Sequence, residues 1–287
     1  MKAQVQPFFH AGSNTFSYVA SDPESRHAAV IDPVLDFDAA SARTGTTSAQ
    51  AIVDHVVAHG LQVQWILETH AHADHLSAAQ WLKQQFPSAR LAIGEGIRTV
   101  QATFANVLDL GDGFHADGSQ FDLLFSDGDE FKIGTLPACV IAVPGHTSDS
   151  NAFLVGDALF PGDSLFMPDG GTARCDFPGG DAATLFRSIQ RLFQLPNDTR
   201  VFVCHDYGPG GREIACETSI AEQRARNIHV HDGVDEATFV SLRTARDATL
   251  NLPALILPSL QVNLRAGALP APASNGVRYL TLPLDVF

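Results

Sequence analysis

The chain has 287 residues, 45% of them hydrophobic and 17% charged, an ordinary composition for a globular enzyme. Its 32 acidic and 18 basic residues give a net charge of −14, which sets aside nucleic acid and anionic membrane as main partners, since both need clustered Lys and Arg. No stretch approaches the ~20 apolar residues that cross a bilayer, the first residues carry no apolar run of signal length, and four cysteines without a CxxC pair suit a reducing compartment. The expected location is cytoplasmic.

Gln4 to Phe9 and Thr15 to Val19 predict a hairpin turned at residues 11–14, and Ala28 to Ile31 a further strand ending in Asp32-Pro33. Residues 34–46, rich in Asp, Ala, Ser and Thr, predict a loop. Ser48 then caps a helix over Ala49 to His59, whose Ile52, Val53, Val56 and Val57 recur at helical spacing. Val63 to Leu67 reads as a buried strand. It runs into Glu-Thr-His-Ala-His-Ala-Asp-His at 68–75, which packs His70, His72, Asp74 and His75 into six residues. Imidazole and carboxylate are the ligands of zinc and non-haem iron, and a strand's C-terminal end is where open α/β layouts expose reactive groups. An amphipathic helix is predicted from Leu76 to Phe86, which makes Asp74 either a ligand or a helix cap.

Strand Leu91 to Ile93, helix Ile97 to Phe104, a Gly- and Asp-rich loop at 105–120 and strand Phe131 to Ile133 follow. Strand Ala138 to Val143 then delivers His146 within Pro-Gly-His-Thr. Strands Asn151 to Val155 and Ala158 to Phe160 flank Gly156-Asp157, a hairpin dipeptide. Asp157 therefore reads as a turn residue, and Asp163, at a strand exit, as the better ligand candidate. Gly170 to Gly180 is a loop with Arg174, Cys175 and Asp176. Asp181 caps a helix to about Phe193, and strand Val201 to Cys204 delivers His205, followed by Asp206 and Tyr207. Helices are expected over Glu213 to Asn227 and Asp235 to Thr249. From Leu252 onward five prolines predict an extended arm, so that residues from about 250 pack on one domain spanning 1–287.

Thr-His-x-His-x-Asp-His at 69–75, Gly-His-Thr at 145–147, Gly-Asp at 162–163 and His205 together resemble the metallo-β-lactamase superfamily, in that order along the chain. The resemblance implies an αββα sandwich with metal at one edge. Residues 68–79, Gly171 to Gly180, His205-Asp-Tyr207 and Pro258 to Arg265 are most similar to the persulfide dioxygenase branch. That branch implies one Fe(II) held by His70, His146 and Asp163, oxidation of glutathione persulfide by O₂ to sulfite and glutathione, and a homodimer. It also places Arg174 at a glutathione-contacting arginine and Tyr207 near the iron.

Two imidazoles and one carboxylate on one face leave the opposite positions open for substrate and O₂. Arg174 would grip a carboxylate of glutathione or pair with Asp176. Tyr207 would hydrogen-bond a metal-bound ligand or close the core, and Thr147 would orient a ligand group. Cys175 reads as a packed small residue rather than a redox thiol. His72, Asp74, His75 and His205 become outer hydrogen-bonding groups in this reading. The alternative makes them ligands of a second metal, in a dinuclear zinc thioester hydrolase of glyoxalase II type. A non-catalytic sensor would need a closed, four-ligand site, and ligands spread over several strand ends argue for an open one.

Overall fold

A computed structural model describes residues 1–111 and 113–286. Asp112, in the predicted Gly- and Asp-rich loop, and Phe287, at the end of the predicted arm, lie outside the described residues. Two six-stranded sheets face one another. The first runs in the order Gln4–His10, Thr15–Ser21, His27–Ile31, Gln62–Leu67, Arg90–Gly94, Leu123–Phe125. It starts as an antiparallel hairpin at Gln4–His10 and becomes parallel from His27–Ile31 onward, because helices Thr47–Ala58 and Ala79–Gln85 carry the chain back across one face. The second sheet orders Glu130–Ile133, Leu136–Ala142, Asn151–Val155, Ala158–Phe160, Arg200–Phe202, Glu217–Ser219.

Alternation along the strands builds the layers. Trp65 and Leu67 point into the space between the sheets, where they meet Phe153, Val155 and Phe160 of the second sheet. Ile66, between them, faces outward against Ile52, Leu82 and Leu260 from covering helices. On the far side Leu185, Ile189 and Leu192 of helix Ala182–Leu192 and Phe239 of helix Glu236–Asp247 cover Leu159 and Val201. This is the expected four-layer αββα sandwich. No described helix is long and apolar enough to cross a membrane.

Five expectations need correction. The loop predicted at 34–46 contains strands Val34–Asp38 and Arg43–Gly45, which form a small sheet with Leu76–Ser77. Val34 and Leu35 are buried there, and polar composition alone concealed them. Ser48 caps no helix: its N–H and hydroxyl both donate to Asp36, and the helix begins at Thr47. The helix expected from Leu76 begins at Ala79, because Leu76–Ser77 is spent on pairing with Val34–Leu35; Asp74 is no cap. The helix expected from Glu213 is confined to Ile220–Arg226, with Ser219 as its cap, since Glu217–Ser219 joins the edge of the second sheet. The C-terminal arm also contains helix Ile256–Asn263, with Pro258 in the first turn, where proline's missing N–H costs nothing.

Candidate metal centre

Strands Gln62–Leu67, Leu136–Ala142, Ala158–Phe160 and Arg200–Phe202 all end at one rim of the sandwich, and the residues just past them are His70, His146, Asp163 and His205. Asp163 sits in a single 3₁₀ turn, Gly162–Ser164. Gly162 has φ +54, and a β-carbon there would come 2.8 Å from the Thr69 hydroxyl and 3.5 Å from His70 Nδ1. Only glycine lets this turn press against the histidine loop.

His70 Nε2 and His146 Nε2 lie 3.9 and 3.5 Å from Asp163 Oδ2. The three side chains are buried, and their donor atoms all fall within 4.8 Å of one another. Among the described residues His70 Nε2 and Asp163 Oδ1 have no hydrogen-bond partner. Leaving such atoms buried and unpaired costs ~1–3 kcal/mol each, which a bound cation offsets. The donor set, two imidazoles and one carboxylate, fits a divalent metal ion.

Each ring is aimed by its other nitrogen. His146 Nδ1 donates to the Arg174 carbonyl at 2.7 Å, which leaves Nε2 unprotonated toward the centre. The Thr69 hydroxyl donates to Asp32 at 2.9 Å, so it accepts from His70 Nδ1 at 3.0 Å, with the same result. Burial, and then His72, push His70 well below the usual imidazole range. It is therefore neutral, the form that binds metal. Burial alone would raise the Asp163 carboxyl, but His205, His70 and His146 outweigh it and hold it below the ordinary value.

His72, Asp74, His75 and His205 form a second group of the same dimensions. Asp74 Oδ2 lies 3.3 Å from His75 Nδ1 and 3.4 Å from His205 Nε2. Burial would raise Asp74, yet His205 and His75 hold it well below the usual carboxylate range. His205 Nε2 is also 3.4 Å from Asp163 Oδ1. Asp163 therefore turns one oxygen to each group. His72 leans toward the back of the site, with Nε2 3.1 Å from Asp32 Oδ1 and 3.8 Å from Glu68 Oε2.

Asp163, His146 and His205 open onto a cleft of about 340 Å³ that also touches Phe166, Phe177, Arg243 and Arg246. Arg174 lines it with its guanidinium forked onto Asp176 at 2.6 and 2.7 Å, bonded to the Asn251 carbonyl, and 4.7 Å above the Phe177 ring. Tyr207 lines it too, 58% exposed and stacked on His205 at 6.0 Å. Thr147 does not border the cleft: its hydroxyl meets Ser150 at 2.7 Å. Burial, and then Asp247, push the Cys175 thiol up to about 12, in keeping with a packed residue.

Several supporting residues escaped the sequence reading. Asp32 holds the Thr69 amide and hydroxyl, and Asp149 accepts from the Ala71 amide at 2.9 Å. Asn263 donates to the carbonyls of His72 and His75 and accepts from the Ser77 amide, each at 2.8 Å. Buried Arg243 pairs with Asp247, which in turn accepts from the Cys175 amide. The only signal available was that Asp32 follows an apolar run, as the ligands do.

The family description "Metallo-beta-lactamase superfamily" matches residues 12–205. A probable metallo-hydrolase of Burkholderia pseudomallei is 48% identical over 98% of this chain and 99% of its own length. A β-lactamase hydrolase-like protein of Agrobacterium fabrum is 51% identical over 98% of this chain, which spans 65% of that relative. The human mitochondrial persulfide dioxygenase ETHE1 is 32% identical over 87% of this chain and 82% of its own. Among solved structures, ETHE1 from Myxococcus xanthus superposes with a TM-score of 0.73 and 29% identity, covering 92% of this chain and all of that one. With its four strand ends converging on one metal-binding rim, the chain belongs to the metallo-β-lactamase superfamily.

Proposed function

We propose that this protein is a mononuclear non-haem iron dioxygenase that converts glutathione persulfide and O₂ to sulfite and glutathione. The observation that carries the reading is the buried donor set of His70, His146 and Asp163, of which His146 and Asp163 line the cleft. The likeness to persulfide dioxygenases supports it. Iron held there supplies the electrons that spin-restricted O₂ needs.

The chain's own groups do the rest. Arg174 spends three of its N–H groups on Asp176 and Asn251, which leaves two of the guanidinium's five for a substrate carboxylate. Arg246, exposed on the cleft wall, adds a second positive charge in a chain of net charge −14. Phe166 and Phe177 exclude water from the sulfur end. Tyr207 stands over His205, where its hydroxyl reaches bound substrate.

A dinuclear zinc thioester hydrolase is the second reading. It is favoured by the His72, Asp74, His75, His205 group and by Asp163 facing both groups. An oxygen electrode separates the two. Oxygen uptake that begins only when glutathione persulfide is added is expected, whereas thioester cleavage with no oxygen uptake selects the hydrolase.

A further inference from the structure

We propose that His10, at the wall of a second cavity, takes up protons released at the metal centre through the hydroxyls of Thr15 and Ser13. The cavity, about 510 Å³, is bordered by His10, Ser13, Asp36, Arg43 and His75, and shares no lining residue with the substrate cleft. Between the two lies a continuous hydrogen-bonded chain. Buried Thr15 Oγ1 is 3.3 Å from His205 Nδ1 and 3.5 Å from His75 Nδ1. It is 2.8 Å from Ser13 Oγ, which is 2.8 Å from His10 Nδ1.

The chain has a direction. The Asn14 carbonyl, 3.2 Å from His205 Nδ1, can only accept, so that nitrogen carries its proton. The Ser13 amide donates to His10 Nδ1 at 3.2 Å, so this nitrogen holds a lone pair and the His10 proton sits on Nε2, 3.6 Å from Asp36 Oδ1. With Ser13 donating to His10, Thr15 donates to Ser13 Oγ at 2.8 Å, closer than its other acceptor, the Ser13 carbonyl at 3.4 Å, and every link points from the centre to the cavity. A β-carbon at residue 12 would come 2.8 Å from His10 Cε1, and Gly12 is what allows the ring to fold over this turn. Burial lowers His10 and outweighs the opposing charge of Asp36; His75 acts with burial and Asp74 against it. Asp38 and Arg43 border the same cavity. His10 is thus neutral and able to accept.

The inference rests on the dioxygenase reading above, in which His205 Nε2 binds no metal and takes up a proton from the centre as Nδ1–H passes one to Thr15. Persulfide oxidation, RSSH + O₂ + H₂O → RSH + SO₃²⁻ + 2H⁺, releases protons. Substrate fills the cleft that would otherwise let them out. A proton arriving at His10 Nδ1 displaces the one on Nε2 to Asp36 or to solvent in the cavity. Each hop breaks one O–H or N–H bond and forms the next, and no electrons move.

Steady-state kinetics of wild type, His10→Gln and Ser13→Ala, with glutathione persulfide and in parallel a glutathione thioester, test this at rising concentrations of MOPS. We expect kcat to fall about tenfold or more in both variants, with KM and metal content unchanged. MOPS, as an external proton acceptor, restores His10→Gln toward wild type. Turnover of the thioester alone by wild type reverses the dioxygenase reading on which the relay rests. Unchanged kcat in both variants, or a deficit in His10→Gln that MOPS does not restore, overturns the relay.

Discussion

Asp157 and Asp163 each follow a glycine near the same short strand, yet the fold gives them opposite tasks. Asp157 forks onto Arg200 at 2.9 Å and accepts from the Ala3 amide, tying the N-terminus to the second sheet. Asp163 turns inward to His70, His146 and His205. Asp163→Ala should abolish metal binding, whereas Asp157→Ala should keep metal content near normal and cost about 1 kcal/mol of stability; elemental analysis and thermal melts read the two. The distinction was legible in the sequence, because Asp157 lies between two strands that pair and Asp163 lies past their end. The orientation of the ligand rings was not legible. It depends on Asp32, Thr69 and the Arg174 carbonyl, whose proximity is created by folding.

At the scale of elements, helix Ile256–Asn263 shows why the C-terminal arm was misread. Its prolines suggested extended chain, but Pro258 falls where a helix tolerates it, and Leu260 and Val262 are drawn into the outer core. Asn263 at its end holds the histidine loop by three hydrogen bonds. Asn263→Ala should cost about 2–3 kcal/mol by leaving buried backbone groups unpaired, and should weaken metal affinity more than a surface change of equal destabilisation; chemical denaturation with and without metal tests this.

The loop at 170–180 has a comparable prop in His229, whose Nδ1 accepts from the Thr172 amide at 3.0 Å. Burial, and then Arg243 and Arg246, depress its imidazole from 6.5 to about 4. The unfolded chain therefore takes up this proton first. The group is neutral to stability above about pH 6.5 and destabilises the fold progressively as pH falls toward 4, by about 3 kcal/mol in full. His229→Asn should flatten that part of the stability profile; an equally steep acid loss in the variant would show that another group is responsible.

Over the whole molecule, most strands and the rim where the ligands gather were legible in apolar runs and strand-end histidines, and the order of the layers was implied by the resemblance to the superfamily. The short sheet at 34–45 and the edge strand Glu217–Ser219 were not, since each exists only through a partner distant in sequence. The same globularity that joins these parts produces two separate cavities on either side of one histidine cluster. Whether that cluster holds one ion or two decides the chemistry, and its donor atoms are spaced for either. X-ray absorption at the iron edge, on protein produced with iron, reads this directly. A single shell of histidine nitrogen and oxygen neighbours with no second metal nearby is expected. A metal–metal distance of about 3.5–4 Å would contradict it.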